Sequence, residues 1–225
     1  MKKGNIKELL QDHSFKQKRM EEKLKQNSLR IKNIFDGIVH ALTLIVETRD
    51  PYTAGHQKRV AKLASAIAKE IGLLDEQVEA IRLAGLIHDV GKITVPSEIL
   101  TKSSLLNENE FNIIKSHSEV GYDILKRIDF SWNVSEIVFQ HHERLDGSGY
   151  PLGLYGEEIL IEAKIIGVAD VVEAMSSHRP YRPARGIGNT FSHLSENKEI
   201  LYDSQVVEAC LNLFYKKGFK LDKLG

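Results

Sequence analysis

Two pairs of ionisable residues close apolar helical runs in this chain, and that placement restricts how it can fold. His88-Asp89 ends the run Ile81-Arg82-Leu83-Ala84-Gly85-Leu86-Ile87, and His141-His142 ends a run containing Ile137, Val138 and Phe139. Ionisable side chains carried inward by such runs lie in low dielectric and are costly unless something pairs them. The same pattern recurs elsewhere. Asp170 closes Ile165-Ile166-Gly167-Val168-Ala169, His117 follows Phe111-Asn112-Ile113-Ile114, and His56 begins the helical pattern that runs to Ile71.

Any one of these residues alone reads most simply as a satisfied core or capping group. Five histidines and two aspartates, each at the end or on one face of an apolar helix, read as a metal site. Imidazole and carboxylate together are a ligand set for iron, manganese or zinc, and admit cobalt or nickel. Seven ligands exceed the needs of one tetrahedral ion, so two divalent ions are expected. Asp89 can bridge such a pair through its two oxygens, which an imidazole cannot do. The single cysteine, Cys210, excludes a disulfide framework and thiolate-rich zinc sites, and its apolar surroundings predict a buried core residue.

The rest of the chain predicts an all-α fold. Helical patterns cover about 55–72, 75–88, 107–128, 134–142, 161–175 and 204–215, and alternating strand patterns are scarce. Asn107 with Glu110 forms a capping-box pattern, and Gly72 and Gly91 read as helix terminators. Zero formal net charge gives no general pull toward DNA, RNA or anionic membranes. The longest apolar run, 38–46, is interrupted by His40 and Thr43 and is far too short to span a bilayer. With no apolar signal core after Lys2 and Lys3, the chain is read as cytoplasmic.

The first forty-odd residues differ. Ile6, Leu10, His13, Gln17, Met20, Leu24, Asn27, Ile31, Ile34, Ile38, Ala41 and Ile45 alternate four- and three-residue spacings, a heptad seam. Such a seam packs either on its own globular domain or against a second copy. The second is preferred here, giving a helical stalk over 1–37 that pairs in a homodimer and a globular domain over 38–225.

Two further segments stand out. Asp146-Gly147-Ser148-Gly149-Tyr150-Pro151 directly follows the paired histidines and predicts a tight loop. Arg179-Pro180-Tyr181-Arg182-Pro183-Ala184-Arg185 is stiff and basic, and arginine forks suit phosphate oxygens and purine edges.

Together, His88-Asp89 with Gly91-Lys92, His117, His141-His142-Glu143, the Gly-Ser-Gly-Tyr-Pro loop, Val168-Ala169-Asp170 and Arg-Pro-Tyr-Arg resemble the HD-GYP domain of the HD superfamily of metal-dependent phosphohydrolases. The resemblance spans about 38–213. It implies an HD-type helical bundle after a long N-terminal helix, and hydrolysis of cyclic di-GMP to linear pGpG, GMP or both. It also implies one metal held by His56, His88, Asp89 and Asp170, and a second held by Asp89, His117, His141 and His142. Lys92 would contact the scissile phosphate, and Tyr150, Arg179 and Arg182 the rest of the substrate. An upstream sensor or a GGDEF-type partner would fit such a domain. Members with a third metal carry glutamate where this chain has Tyr52, so two ions are expected. Glu173 and His178 stand where aspartate is usual. The competing readings are a catalytically silent dinucleotide receptor or interaction module, and a hydrolase of another nucleotide.

Overall fold

Helical periodicity resolves, in a computed structural model that describes residues 3–50, 54–177 and 186–221, into ten α-helices. They are α1 (Lys3–Arg49), α2 (His56–Ile71), α3 (Asp75–Ile87), α4 (Ser97–Leu100), α5 (Glu108–Lys115), α6 (His117–Leu125), α7 (Val134–Gln140), α8 (Ile161–Ser176), α9 (Ile187–Glu196) and α10 (Ser204–Tyr215). Among the described residues there is no strand, only two isolated bridges, Asp146 with Tyr155 and Lys198 with Tyr202. No helix among them is long and apolar enough to cross a membrane.

The chain divides into two compact units, Met1–Ala41 and Leu42–Gly225. In the first, which holds most of α1, the seam residues Met20, Leu24, Ile31, Ile34 and Ile38 are exposed.

The second unit is built around α2 and α8. Helix α2 packs against α3, α8 and α10, while α8 also touches α3, α7 and α9. Ala163, Ile165, Ile166, Val168, Ala169 and Val172 bury α8 on nearly every side, as expected of a central helix. Leu63, Ile67, Ile81, Ile165, Ile166 and Leu194 are fully buried, each contributing roughly 1.5–3 kcal/mol of transfer free energy.

The helix ends follow local chemistry. Gly72 closes α2 in the left-handed conformation (φ 88°), and Asn107 with Glu110 makes the expected reciprocal cap on α5. Asp203 caps α10 by accepting from the amides of Gln205 and Val206.

Three expectations need correction. Gly91 does not end a helix. Helix α3 stops at Ile87 with His88 as its cap, and Gly91 lies inside the 3-10 turn Val90–Thr94. Glycine is required there for contact, since a Cβ would lie 1.9 Å from the His117 carbonyl oxygen.

The segment 107–128 is two helices rather than one. Ser116 Oγ donates to the Ile113 carbonyl (2.7 Å), His117 Nδ1 to that of Ile114 (2.6 Å) and Ser118 Oγ to that of Lys115 (3.0 Å). Three successive carbonyls thus take side-chain donors in competition with the backbone amides of a continuous helix, and the helix is interrupted at Ser116. The third correction is α9, which the periodicity did not mark. Its inner face rests on Thr190, Phe191 and Leu194 alone, too few for a visible stripe.

Candidate metal centre

Four helix ends and α8 bring the predicted residues into one cluster. His56 opens α2, His88 caps α3 with Asp89 beside it, and His117 opens α6. His141 caps α7 with His142 next in the chain, and Asp170 comes from the middle of α8. Each helix must bury its apolar stripe against its neighbours, so packing carries the polar ends inward. His56, His88, Asp89, His117 and His141 are each no more than 2% exposed.

The donors fall into overlapping groups. His56, His88 and Asp170 form one, His117, His141 and His142 a second, and His88, Asp89 and His141 a third, with ligand atoms inside each group within 4.8 Å of one another. Asp89 stands between the first two. Its Oδ1 is 3.6 Å from His117 Nε2, while its Oδ2 is 3.5 Å from His88 Nε2 and 3.9 Å from His56 Nε2. The two oxygens of one carboxylate therefore face different histidine groups.

The imidazoles are aimed by a repeated local device. The Nδ1 atoms of His88, His117 and His141 donate to the carbonyls of Gly85, Ile114 and Val138, each three residues earlier. A carbonyl can only accept, so Nδ1 carries the proton and the neutral ring keeps a bare lone pair on Nε2. His117 Nε2 and His141 Nε2 lie 3.3 Å apart, two lone pairs turned toward each other. Acceptors so close call for a cation between them, and the nitrogen and oxygen donor set suits divalent first-row metals. The residues present fit such ions.

In the protein alone the electrostatics run in the same sense. Burial pushes His117 down to about 4, and it holds His141 and His142 well below the usual histidine value with help from neighbouring imidazoles. These rings are neutral donors at pH 7. Burial acts to raise Asp89, but the Lys92 ammonium and the surrounding histidines outweigh it and hold the carboxyl well below its ordinary range. Lys92 Nζ donates to Asp89 Oδ2 at 2.8 Å. His56 behaves differently. Burial would lower it, yet hydrogen bonds to Asp170 and Glu173 raise it to about 9.

Two residues without an assigned role prove to be supports. Glu173 accepts from His56 Nδ1 and is itself held by Arg59 Nη2 (2.6 Å) and Ser177 Oγ (2.7 Å). Glu143, only 5% exposed, accepts from the amides of Leu152 (2.7 Å), Gly153 (3.2 Å) and Leu154 (3.0 Å). It clamps the loop carrying Tyr150, whose ring lies 4.6 Å from that of His142. Gly149 permits this closure, because a Cβ there would meet Glu143 Cα at 2.4 Å. An acid within the apolar stretch Val171-Val172-Glu173-Ala174-Met175 was the available signal for Glu173, but its partner His56 lies too far along the chain to be paired from sequence. Arg179 and Arg182, expected substrate contacts, lie outside the described residues, as do Tyr52 and His178.

The sequence matches the HD-domain family over residues 40–206. It is 39% identical over 172 residues to the cyclic di-GMP phosphodiesterase response regulator RpfG of Xanthomonas campestris, covering 76% of this chain and 46% of that protein. It is 40% identical over 178 residues to a cyclic di-GMP phosphodiesterase of Thermotoga maritima, covering 78% and 48%. A third relative, 37% identical over 172 residues, is 3'3'-cGAMP-specific phosphodiesterase 3 of Vibrio cholerae, covering 76% and 37%. The chain spans less than half the length of these relatives. Among solved structures it is similar in fold to Bd1817, a HDG"Y"P protein from Bdellovibrio bacteriovorus, with TM-score 0.58 and 20% identity over 71% of this chain and 51% of that one. The HD domain of phosphodiesterase PgpH from L. monocytogenes, solved in complex with cyclic-di-AMP, gives TM-score 0.56 at 21% identity, covering 80% and 100%.

Proposed function

This chain belongs to the HD-domain family, and from that premise we propose that it is a metal-dependent phosphodiesterase that hydrolyses cyclic di-GMP to linear pGpG, GMP or both. The observation that carries the reading is the position of Asp89 between two histidine groups, one carboxylate oxygen toward each. His56, His88, Asp89 and Asp170 would hold one divalent ion, and Asp89, His117, His141 and His142 a second. The resemblance to the HD-GYP domain favours iron or manganese, and the ligand set also admits zinc, cobalt or nickel.

When bound, such a metal pair activates water as a nucleophile and offsets charge on phosphoryl oxygens. The chain's own groups do the rest. Lys92, fixed against Asp89 in the 3-10 turn, brings an ammonium to the phosphate and stabilises the negative charge that develops there. Tyr150 is a neutral phenol, since burial raises its pKa, and it offers a hydroxyl beside His142. Arg179 and Arg182 would grip the remaining phosphate or the bases. The stalk, residues 1–37, would pair in a homodimer through its exposed seam and link the domain over 38–225 to an upstream sensor or a GGDEF-type partner.

The test uses protein purified without oxygen, supplied with ferrous iron or manganese and mixed with cyclic di-GMP. Metal-dependent formation of pGpG or GMP, absent from a His88→Ala/Asp89→Ala control, is the expected result; two bound ions per chain with no turnover would sink the cyclic di-GMP reading. A second reading, hydrolysis of mixed cyclic GMP-AMP, is favoured by the likeness to the Vibrio cholerae enzyme specific for 3'3'-cGAMP. Running both dinucleotides in parallel separates the two.

A further inference from the structure

A second concavity lies beside the histidine–aspartate cluster, between the 3-10 turn, α4, the loop that follows it and α5. It has a volume of about 570 Å³, within the roughly 300–1,000 Å³ of small-molecule sites. Ile99, Leu105, Leu106, Phe111 and Ile114 form an apolar wall, and Ser103 and Ser104 also line the cavity.

This concavity shares its inner wall with the candidate metal centre. Lys92 lines it and also donates to Asp89. Ile114 lines it, while its carbonyl fixes the ring of His117. The Phe111 ring meets that of Tyr150 edge to face at 6.4 Å, and Lys115 Nζ lies over both rings, at 4.8 and 5.6 Å. The other cation on the wall, Lys102, is held by both oxygens of Glu110 at 2.7 Å.

An inorganic phosphate at Lys92 would have no use for an apolar wall extending away from it. Leu105 is 94% exposed and Phe111 43%, so both present large apolar surfaces to water at the rim. A ligand that carries a phosphate and, a few bonds away, a flat apolar body meets both halves of this arrangement. That description fits a nucleotide.

We infer that the concavity is a nucleobase pocket: a base of the substrate lies against Phe111 and Leu105 while its phosphate faces Lys92. The inference rests on the phosphodiesterase reading and deepens it, because it locates where the base is held. Flat rings on an aromatic side chain bind without sequence-specific hydrogen bonds, so Phe111 and Leu105 set affinity.

The experiment is calorimetric titration of the metal-loaded full chain with GMP, and separately with inorganic phosphate, in the wild type, Phe111→Ala and Phe111→Ala/Leu105→Ala. Both positions are at the rim, and circular dichroism with metal content verifies that each variant is folded. The expected result is a loss of GMP affinity of about tenfold or more in the double variant, with phosphate affinity unmoved. With cyclic di-GMP as substrate, KM should rise by a similar factor and kcat change little. Equal GMP affinity in wild type and double variant, equal loss for GMP and phosphate, or no GMP binding to the wild type would each overturn the pocket. Hydrolysis that persists with GMP affinity unaltered would reject the pocket and keep the phosphodiesterase. Base-dependent GMP binding without hydrolysis of any cyclic dinucleotide would do the reverse.

Discussion

Glu173 on α8 holds His56 at the start of α2 by its Nδ1, across 117 positions of the chain. The opposite nitrogen of that ring, Nε2, lies 3.2 Å from Asp170. A carboxylate behind a metal-binding imidazole fixes the ring and strengthens it as a donor, and loss of such a partner typically costs about 10–100-fold in metal affinity. Glu173→Gln, which keeps the shape but loses the charge, should weaken metal binding within that range. Competition against a chelator of known affinity reads it directly, and an unchanged affinity would remove Glu173 from the metal's support.

Asp89→Ala should lower the metal content by one ion per chain and abolish turnover, because both histidine groups lose the carboxylate between them. Elemental analysis of the purified variant decides it. Retention of the full metal content would mean that Asp89 is not a bridge.

Lys92→Ala should keep the metals and slow hydrolysis by about a hundredfold, in the range for removing one preorganised charge from a phosphoryl or oxyanion site. Should metal be released instead, Lys92 matters for the fold of the turn rather than for the phosphate.

Gly91→Ala should be destabilising by roughly 1–3 kcal/mol, the cost of forcing atoms into a packed contact, since its Cβ would press on the His117 carbonyl. Denaturant melts measure the loss. His117 would be displaced with it, so metal affinity should fall in the same variant while Gly37→Ala, in open surroundings, leaves affinity intact.

Cys210 is fully buried, and burial pushes its thiol up to about 12. With almost no thiolate at pH 8 and no access, the native chain should resist thiol reagents for as long as it stays folded. One thiol per chain should then react in denaturant. Fast labelling of native protein would contradict the packing of α10.

The candidate centre was legible because ionisable residues at the ends of apolar runs are expensive to bury separately, and helix packing leaves them little choice but to meet. His88-Asp89 and His141-His142 needed no knowledge of their partners to stand out. The roles of Glu173 and Glu143 were not legible, since each acts on a partner that only the folded chain supplies, His56 for one and the amides of Leu152, Gly153 and Leu154 for the other. Gly91 was misread for the same reason. A glycine after an apolar run commonly marks a helix end, but here the constraint comes from the His117 carbonyl on another helix. The division of 107–128 at Ser116 was hidden because the hydroxyls and ring nitrogen that compete for backbone carbonyls leave the hydrophobic period untouched.

The bonds from His88, His117 and His141 to carbonyls three residues back have a consequence for how the centre tolerates change. Each ring takes its bearing from its own stretch of chain, so none of the three depends on another to point inward. Damage should therefore be piecemeal: a substitution that removes one imidazole leaves the other two correctly turned and spoils a single position of the candidate centre. His56 is the exception, because its bearing is borrowed from α8 through Glu173, and it is the ring most exposed to slippage between two helices.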